Sequence, residues 1–164
     1  MRIIGVDPGL ANSGIGVVEQ DGNALRLIEY TCVTTEPDTP FSDRLLTIYN
    51  GFGEMLERHG ADACAIESIF FAKNAKSAFQ VGHARGVFLV RAAQAGVPVY
   101  EYTPLQIKKA LVGAGRADKG QVQYMTRVIL GLDEVPKPDH AADAVGVAIC
   151  HANMERYLRM TGTR

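Results

Sequence analysis

The sequence predicts an α/β domain in which a mixed five-stranded sheet is flanked by helices on both faces. Three observations carry this reading. Strand-length runs rich in Ile and Val open the chain, helix-period segments then alternate with two short apolar runs, and the last third is helix-patterned throughout.

Residues 2–7 and 14–19 read as strands joined by the Gly-rich turn "DPGLANSG", and residues 25–34 as a third strand, so that the chain opens as a meander. After the polar loop "TTEPDTP", Leu45, Ile48, Phe52, Met55 and Leu56 recur at helical spacing over 42–59, with Ser42 as the expected cap. "ACAIES" reads as a short buried strand. "AKSAFQVGHARGVFLVRAAQAG" follows as a helix ended by Gly96, and "PVYEY" as the fifth strand. Thr103 before Pro104 is a cap followed by a first-turn proline, which starts a helix through "LQIKKALVG". The loop "GAGRADKG", a helix over 120–130 and a long helix from about 139 to 159 complete the pattern. No repeat, low-complexity tract or linker interrupts it, so residues 1–164 are expected to form one domain, with disorder confined to roughly the last eight residues.

At 164 residues such a domain buries roughly 70% of its unfolded surface around a single core. Cys32, Cys64 and Cys150 are odd in number, far apart and set in apolar segments, which fits reduced core residues rather than a disulfide frame or a thiolate zinc site. No secretory leader pattern and no membrane-length apolar run is found, so a soluble, cytoplasmic protein is expected. The formal net charge of -1 hides a sorted distribution. Between Lys73 and Arg127 stand nine basic residues against two acidic ones, while the remainder is acidic. A polyanion-binding face beside a carboxylate cluster would produce this pattern, as would helix faces that merely happen to be basic.

Three acids stand at the ends of apolar elements. Asp7 closes the first strand, Glu67 closes "ACAIES" in the same way, and Asp143 lies in the first turns of the last helix, three residues after His140. Each has an ordinary reading: Asp7 as a turn residue before Pro8, Glu67 as a core acid paired with an Arg, Asp143 as an acid favoured by the helix dipole. Asp139 reads as the cap of that helix. Convergence favours a shared site, because carboxylates brought together repel unless a cation joins them. Hard oxygen ligands suit Mg²⁺ or Mn²⁺ rather than zinc, and such a cluster can hold two ions for phosphodiester hydrolysis. Ala141, Ala142, Ala144 and Gly146 are small enough to let the helix pack closely on the sheet.

"GVDPGLANSGIGVV", "AIESIFFAKNAKSAFQVGHARGV" and "HAADAVGVAICH" together resemble the RuvC family of Holliday junction resolvases, with the family's spacing from Met1 to about residue 155. The resemblance implies an RNase H-like fold, a homodimer, and symmetric nicking of four-way DNA junctions dependent on Mg²⁺, about two ions per subunit, with Mn²⁺ as a further activating ion. It assigns Asp7, Glu67 and Asp143 as metal-binding carboxylates and places His140 at the fourth catalytic position, often Asp in the family, which leaves open whether His140 binds metal, acts as acid or base, or is partly replaced by Asp139. It also implies that Phe70 stacks on a base near the crossover, although a core Phe is the alternative. Lys108 and Lys119 would lie near the scissile phosphate. Lys73, Lys76, Arg85 and Arg116 become candidate phosphate contacts, and a branch-migration motor of the RuvA–RuvB type a candidate partner. The helix over 77–94, with Ala78, Gly82, Ala84 and Gly86, is the expected dimer seam, although the same small residues would also suit packing on the sheet. His59, Cys64, Cys150 and His151 lack metal-site spacing and read as structural.

Two other functions share parts of this pattern. A related nuclease acting on ribosomal RNA precursors would share the fold and carboxylates, but gives no reason for the Phe70 wedge or the basic middle. A nucleotide-binding module of the actin-like type would share the first turn, but 164 residues leave no room for its second lobe.

Overall fold

The computed structural model describes residues 1–68 and 75–162, the side chains of residues 75–77 excepted. Five strands and five helices follow one another as β1 (Arg2–Asp7), β2 (Asn12–Asp21), β3 (Ala24–Thr34), α1 (Phe41–His59), β4 (Ala63–Glu67), α2 (Ala75–Gln94), β5 (Val99–Tyr102), α3 (Pro104–Val112), α4 (Lys119–Leu130) and α5 (Asp139–Thr161). They form one sheet in the order β3-β2-β1-β4-β5. The opening meander is antiparallel, whereas β4 and β5 run parallel to β1. Each parallel partner is reached through a helix, and the helices therefore end up on both faces.

Strand alternation divides the core in two. Ile4, Val6, Ile15 and Val17 pack against Ile48 and Phe52 of α1 and Phe88 of α2, with the Phe52 and Phe88 rings edge to face at 4.9 Å. Ile3, Val18 and Ala65 face the other way, against Ile107 and Leu111 of α3, Val122 of α4, and Val145 and Ile149 of α5. β1 is apolar on both faces because both are covered.

The helix α5 lies unusually close to the sheet. A Cβ on Gly14 would stand 1.8 Å from the His140 carbonyl oxygen, and one on Gly5 would stand 2.1 Å from that of Ala144. Glycine on the strands and alanine on the helix thus allow backbone to approach backbone. Gly146 plays no part in this, since it faces Leu111 of α3 and Thr126 of α4.

Three local expectations are corrected. Pro40, not Ser42, precedes α1, and Ser42 lies inside the first turn, where its hydroxyl donates to Asp43. Pro138, not Asp139, precedes α5; Asp139 is already helical and its carboxylate reaches across to α4 instead. The tail expected to be disordered is helical as far as Thr161, where the hydroxyl donates to the Tyr157 carbonyl and Gly162 turns left-handed to end the helix. Cys32, Cys64 and Cys150 are free thiols, and burial pushes Cys64 and Cys150 up to about 12. His151 is buried with Nδ1 2.7 Å from the Tyr102 hydroxyl, and His59 pairs with Glu29, so both are structural residues. No described helix is long and apolar enough to cross a membrane.

Candidate metal-dependent nuclease site

The register of the sheet sets the first two acids side by side. Val6 and Ile66 are partners in the parallel ladder, so Asp7 and Glu67, each one residue further on, emerge at the same edge. α5 crosses this edge with its N-terminus over β2, which the small residue Gly14 permits, and delivers His140 and Asp143. His140 Nδ1 donates to Asp7 Oδ2 at 2.7 Å. Ligand atoms of Asp7, His140 and Asp143 all lie within 4.8 Å of one another. Glu67 stands against Asp7, close enough for their carboxyl groups to share a hydrogen bond.

Electrostatics show what the cluster lacks. Burial first, then the charges of Asp7 and Asp143, push the Glu67 carboxyl up to about 7. Burial also raises Asp143, against the pull of Lys119. The His140 imidazole is raised by its bond to Asp7, which outweighs its partial burial. Among the described residues, no Arg or Lys forms an ion pair with Glu67. Three carboxylates and one imidazole in this state are a donor set short of positive charge, and a divalent cation with hard-ligand preference fits them.

Two capped helices bring basic groups to the same edge. Thr103 caps α3 through the Gln106 backbone, Pro104 occupies the first helical position as expected, and Lys108 follows one turn on. Asp118 caps α4 in the same manner, which fixes Lys119 as its first residue. Lys119 Nζ lies 3.0 Å from Asp143 and 3.1 Å from Asp139. Burial alone would lower the Lys119 ammonium, but its bonds to Asp143 and Asp139 outweigh this and raise it. Glu67, Asp143, Lys108 and Lys119 together line a cavity of about 190 Å³ floored by Ile107, Val122 and Val147.

Other candidates lie elsewhere. Arg85 is engaged by Glu101 of β5, and Arg116 is exposed in the loop between α3 and α4. Phe70 and Lys73 fall outside the described residues, as does the side chain of Lys76. Sequence reasoning missed Gln123, whose amide donates to Asp139, and the strand glycines beneath α5. The glycines did carry a signal: Gly inside a β-branched run marks close backbone approach.

Fold and site together define a class, the metal-dependent nucleases built on an RNase H-like sheet. The description "Crossover junction endodeoxyribonuclease RuvC" fits residues 3–151 as a family. Relatives of that name from Chloroflexus aggregans and Pelotomaculum thermopropionicum are 53% identical over 162 residues and 52% over 163, each alignment covering at least 98% of both chains. Solved structures agree: Thermus thermophilus RuvC matches with a TM-score of 0.89 at 43% identity, and its complex with a Holliday junction substrate with 0.91 at 42%, each covering 96% of both chains. A yeast mitochondrial Holliday junction resolvase, at 14% identity and TM-score 0.61, shares the fold. The chain belongs to the RuvC family of crossover junction endodeoxyribonucleases, and is an enzyme of that kind rather than a ribosomal RNA nuclease or a nucleotide-binding module.

Proposed function

We propose that this chain, as a single domain over residues 1–164, resolves four-way DNA junctions by paired symmetric nicks during recombination and repair. The observation that carries the reading is the meeting of Asp7, His140 and Asp143 with Glu67 at one sheet edge, beside the cavity lined by Lys108 and Lys119. Asp7, Glu67, Asp143 and His140 would hold two Mg²⁺ ions per subunit, with Mn²⁺ as a further activating ion. Bound there, the ions would supply Lewis-acid chemistry for phosphodiester hydrolysis. The protein's own share is positional. Asp7 orients the His140 ring through its 2.7 Å bond, and the rigidly capped α3 and α4 hold Lys108 and Lys119 where negative charge grows on the scissile phosphate. Phe70 stacks on a base at the crossover, while Lys73, Lys76, Arg85 and Arg116 contact flanking phosphates.

Two nicks placed symmetrically call for two sites held in fixed opposition, and therefore for a homodimer. Support comes from α2, which exposes Phe79 and Val90 on one face, with Gly82 and Gly86 between them. An added Cβ at either glycine meets nothing within 4 Å, whereas Ala84 is buried in the core. These observations favour the Gly82 and Gly86 face as the seam. The enzyme works in the cytoplasm, in concert with a branch-migration motor of the RuvA–RuvB type.

The test compares a mobile four-way DNA junction, duplex DNA and structured RNA as substrates, with wild type and Asp7→Asn. Wild type is expected to cut the junction alone, at symmetric positions. Asp7→Asn should retain junction binding in a gel shift, because affinity comes from phosphate contacts, yet lose cutting by at least about a hundredfold. Preferred cutting of RNA, or normal cutting by the variant, would falsify the reading.

A further inference from the structure

Asp139 sits one residue before His140 but outside the group of ligand atoms formed by Asp7, His140 and Asp143. It does not cap α5, since no side-chain cap bond forms there. Its carboxylate is instead divided between two residues of α4: Oδ2 lies 3.1 Å from Lys119 Nζ, and Oδ1 accepts from the Gln123 amide at 3.2 Å. Lys119 Nζ is at the same time 3.0 Å from Asp143 Oδ2. One ammonium thus bridges an acid of the proposed metal site and an acid beside it.

This bridge sets up a competition. A divalent cation drawn to Asp143 meets the Lys119 ammonium at the same carboxylate, and like charges a few ångströms apart repel. The ammonium has to give up Asp143, and Asp139 offers it a second anchor that Gln123 holds in place. Resting on the proposed metal site, we infer that Asp139 is a positioning residue that takes Lys119 off Asp143 when the cation enters, which keeps the ammonium beside the reacting phosphate. Without Asp139, Lys119 would bind Asp143 alone and resist the cation more strongly.

A double-mutant cycle on the full chain tests this, read as the Mn²⁺ concentration that half-saturates the rise in melting temperature, without DNA. Asp139→Asn is expected to raise that midpoint about threefold in the wild-type background, the scale of one partly exposed ion pair. In a Lys119→Gln background the same change should shift it by less than about 1.5-fold, because the competing ammonium is gone. Lys119→Gln alone should lower the midpoint. Equal effects of Asp139→Asn in both backgrounds would mean that Asp139 acts only as one more negative charge, and would overturn the inference while leaving the metal site intact. The metal-free melting temperatures check folding, since a merely structural Asp139 would lower these and leave the Mn²⁺ midpoints unchanged. No thermal response of wild type to Mn²⁺ would overturn the metal site and the inference together.

Discussion

Without a divalent cation, the Glu67 carboxyl holds its proton up to about pH 7, against 4.5 for an ordinary glutamate, through burial and the charges of Asp7 and Asp143. Between those values the folded chain binds more protons than the unfolded one, so the stability of the metal-free protein falls as pH rises through that window. The upward shifts of Asp143 and His140 act in the same sense. In EDTA, Glu67→Gln should therefore raise stability at pH 8 by on the order of 2 kcal/mol and flatten the dependence between pH 5.5 and 8, while cutting with Mg²⁺ is lost. Urea unfolding at both pH values measures this, and a variant less stable than wild type at pH 8 would contradict it. The acids were legible in the sequence because a carboxylate closing an apolar run is conspicuous. The partner of Asp143 was not, since Lys119 lies on another helix and only the packing of α4 against α5 brings the two together.

At the scale of elements, the site depends on how closely α5 rides on β1 and β2. Gly14→Ala forces a Cβ against the His140 carbonyl, which cannot retreat without moving the helix start and both of its site residues. Overpacking of this kind costs about 1–3 kcal/mol, and a displacement on the order of 1 Å is enough to lower cutting by about a hundredfold. Gly146→Ala is the control: its Cβ meets Leu111 at an ordinary 3.4 Å, so cutting should persist. Junction cleavage and thermal melting of the two variants decide the matter, and full activity in Gly14→Ala would show that the close approach is dispensable. The elements themselves were readable, because apolar period and turn residues agree along most of the chain. The side-chain cap at Thr103, marked by the proline after it, was readable, whereas the equivalent cap at Asp118 was not read. Caps were misread where a proline precedes the helix and backbone alone starts it, as at Pro40 and Pro138.

For the whole molecule, the sorted charge seen in the sequence is partly balanced by ion pairs at the surface: Arg85 pairs with Glu101, Arg91 with Glu57, and Lys119 with two aspartates. Among the described residues, Lys108 and Arg116 make no ion pair, and Lys108 lines the cavity beside Glu67 and Asp143. Pairing of this kind depends on distance in space, which charge counts along the chain cannot convey. The proposed dimer face is that of α2, where Phe79 is 72% exposed. Phe79→Glu should turn a dimer into monomers in light scattering at micromolar concentration, and should unlink the two nicks so that singly nicked junctions accumulate. A monomeric wild type under the same conditions would remove the dimer. The bond between His140 and Asp7 joins residues 133 positions apart. A polypeptide made from its N-terminus acquires Asp7 and Glu67 well before α5, and contacts of such long range form late in folding. The cluster of Asp7, His140 and Asp143 thus stays dismantled until α5 has been synthesised and has docked on the sheet.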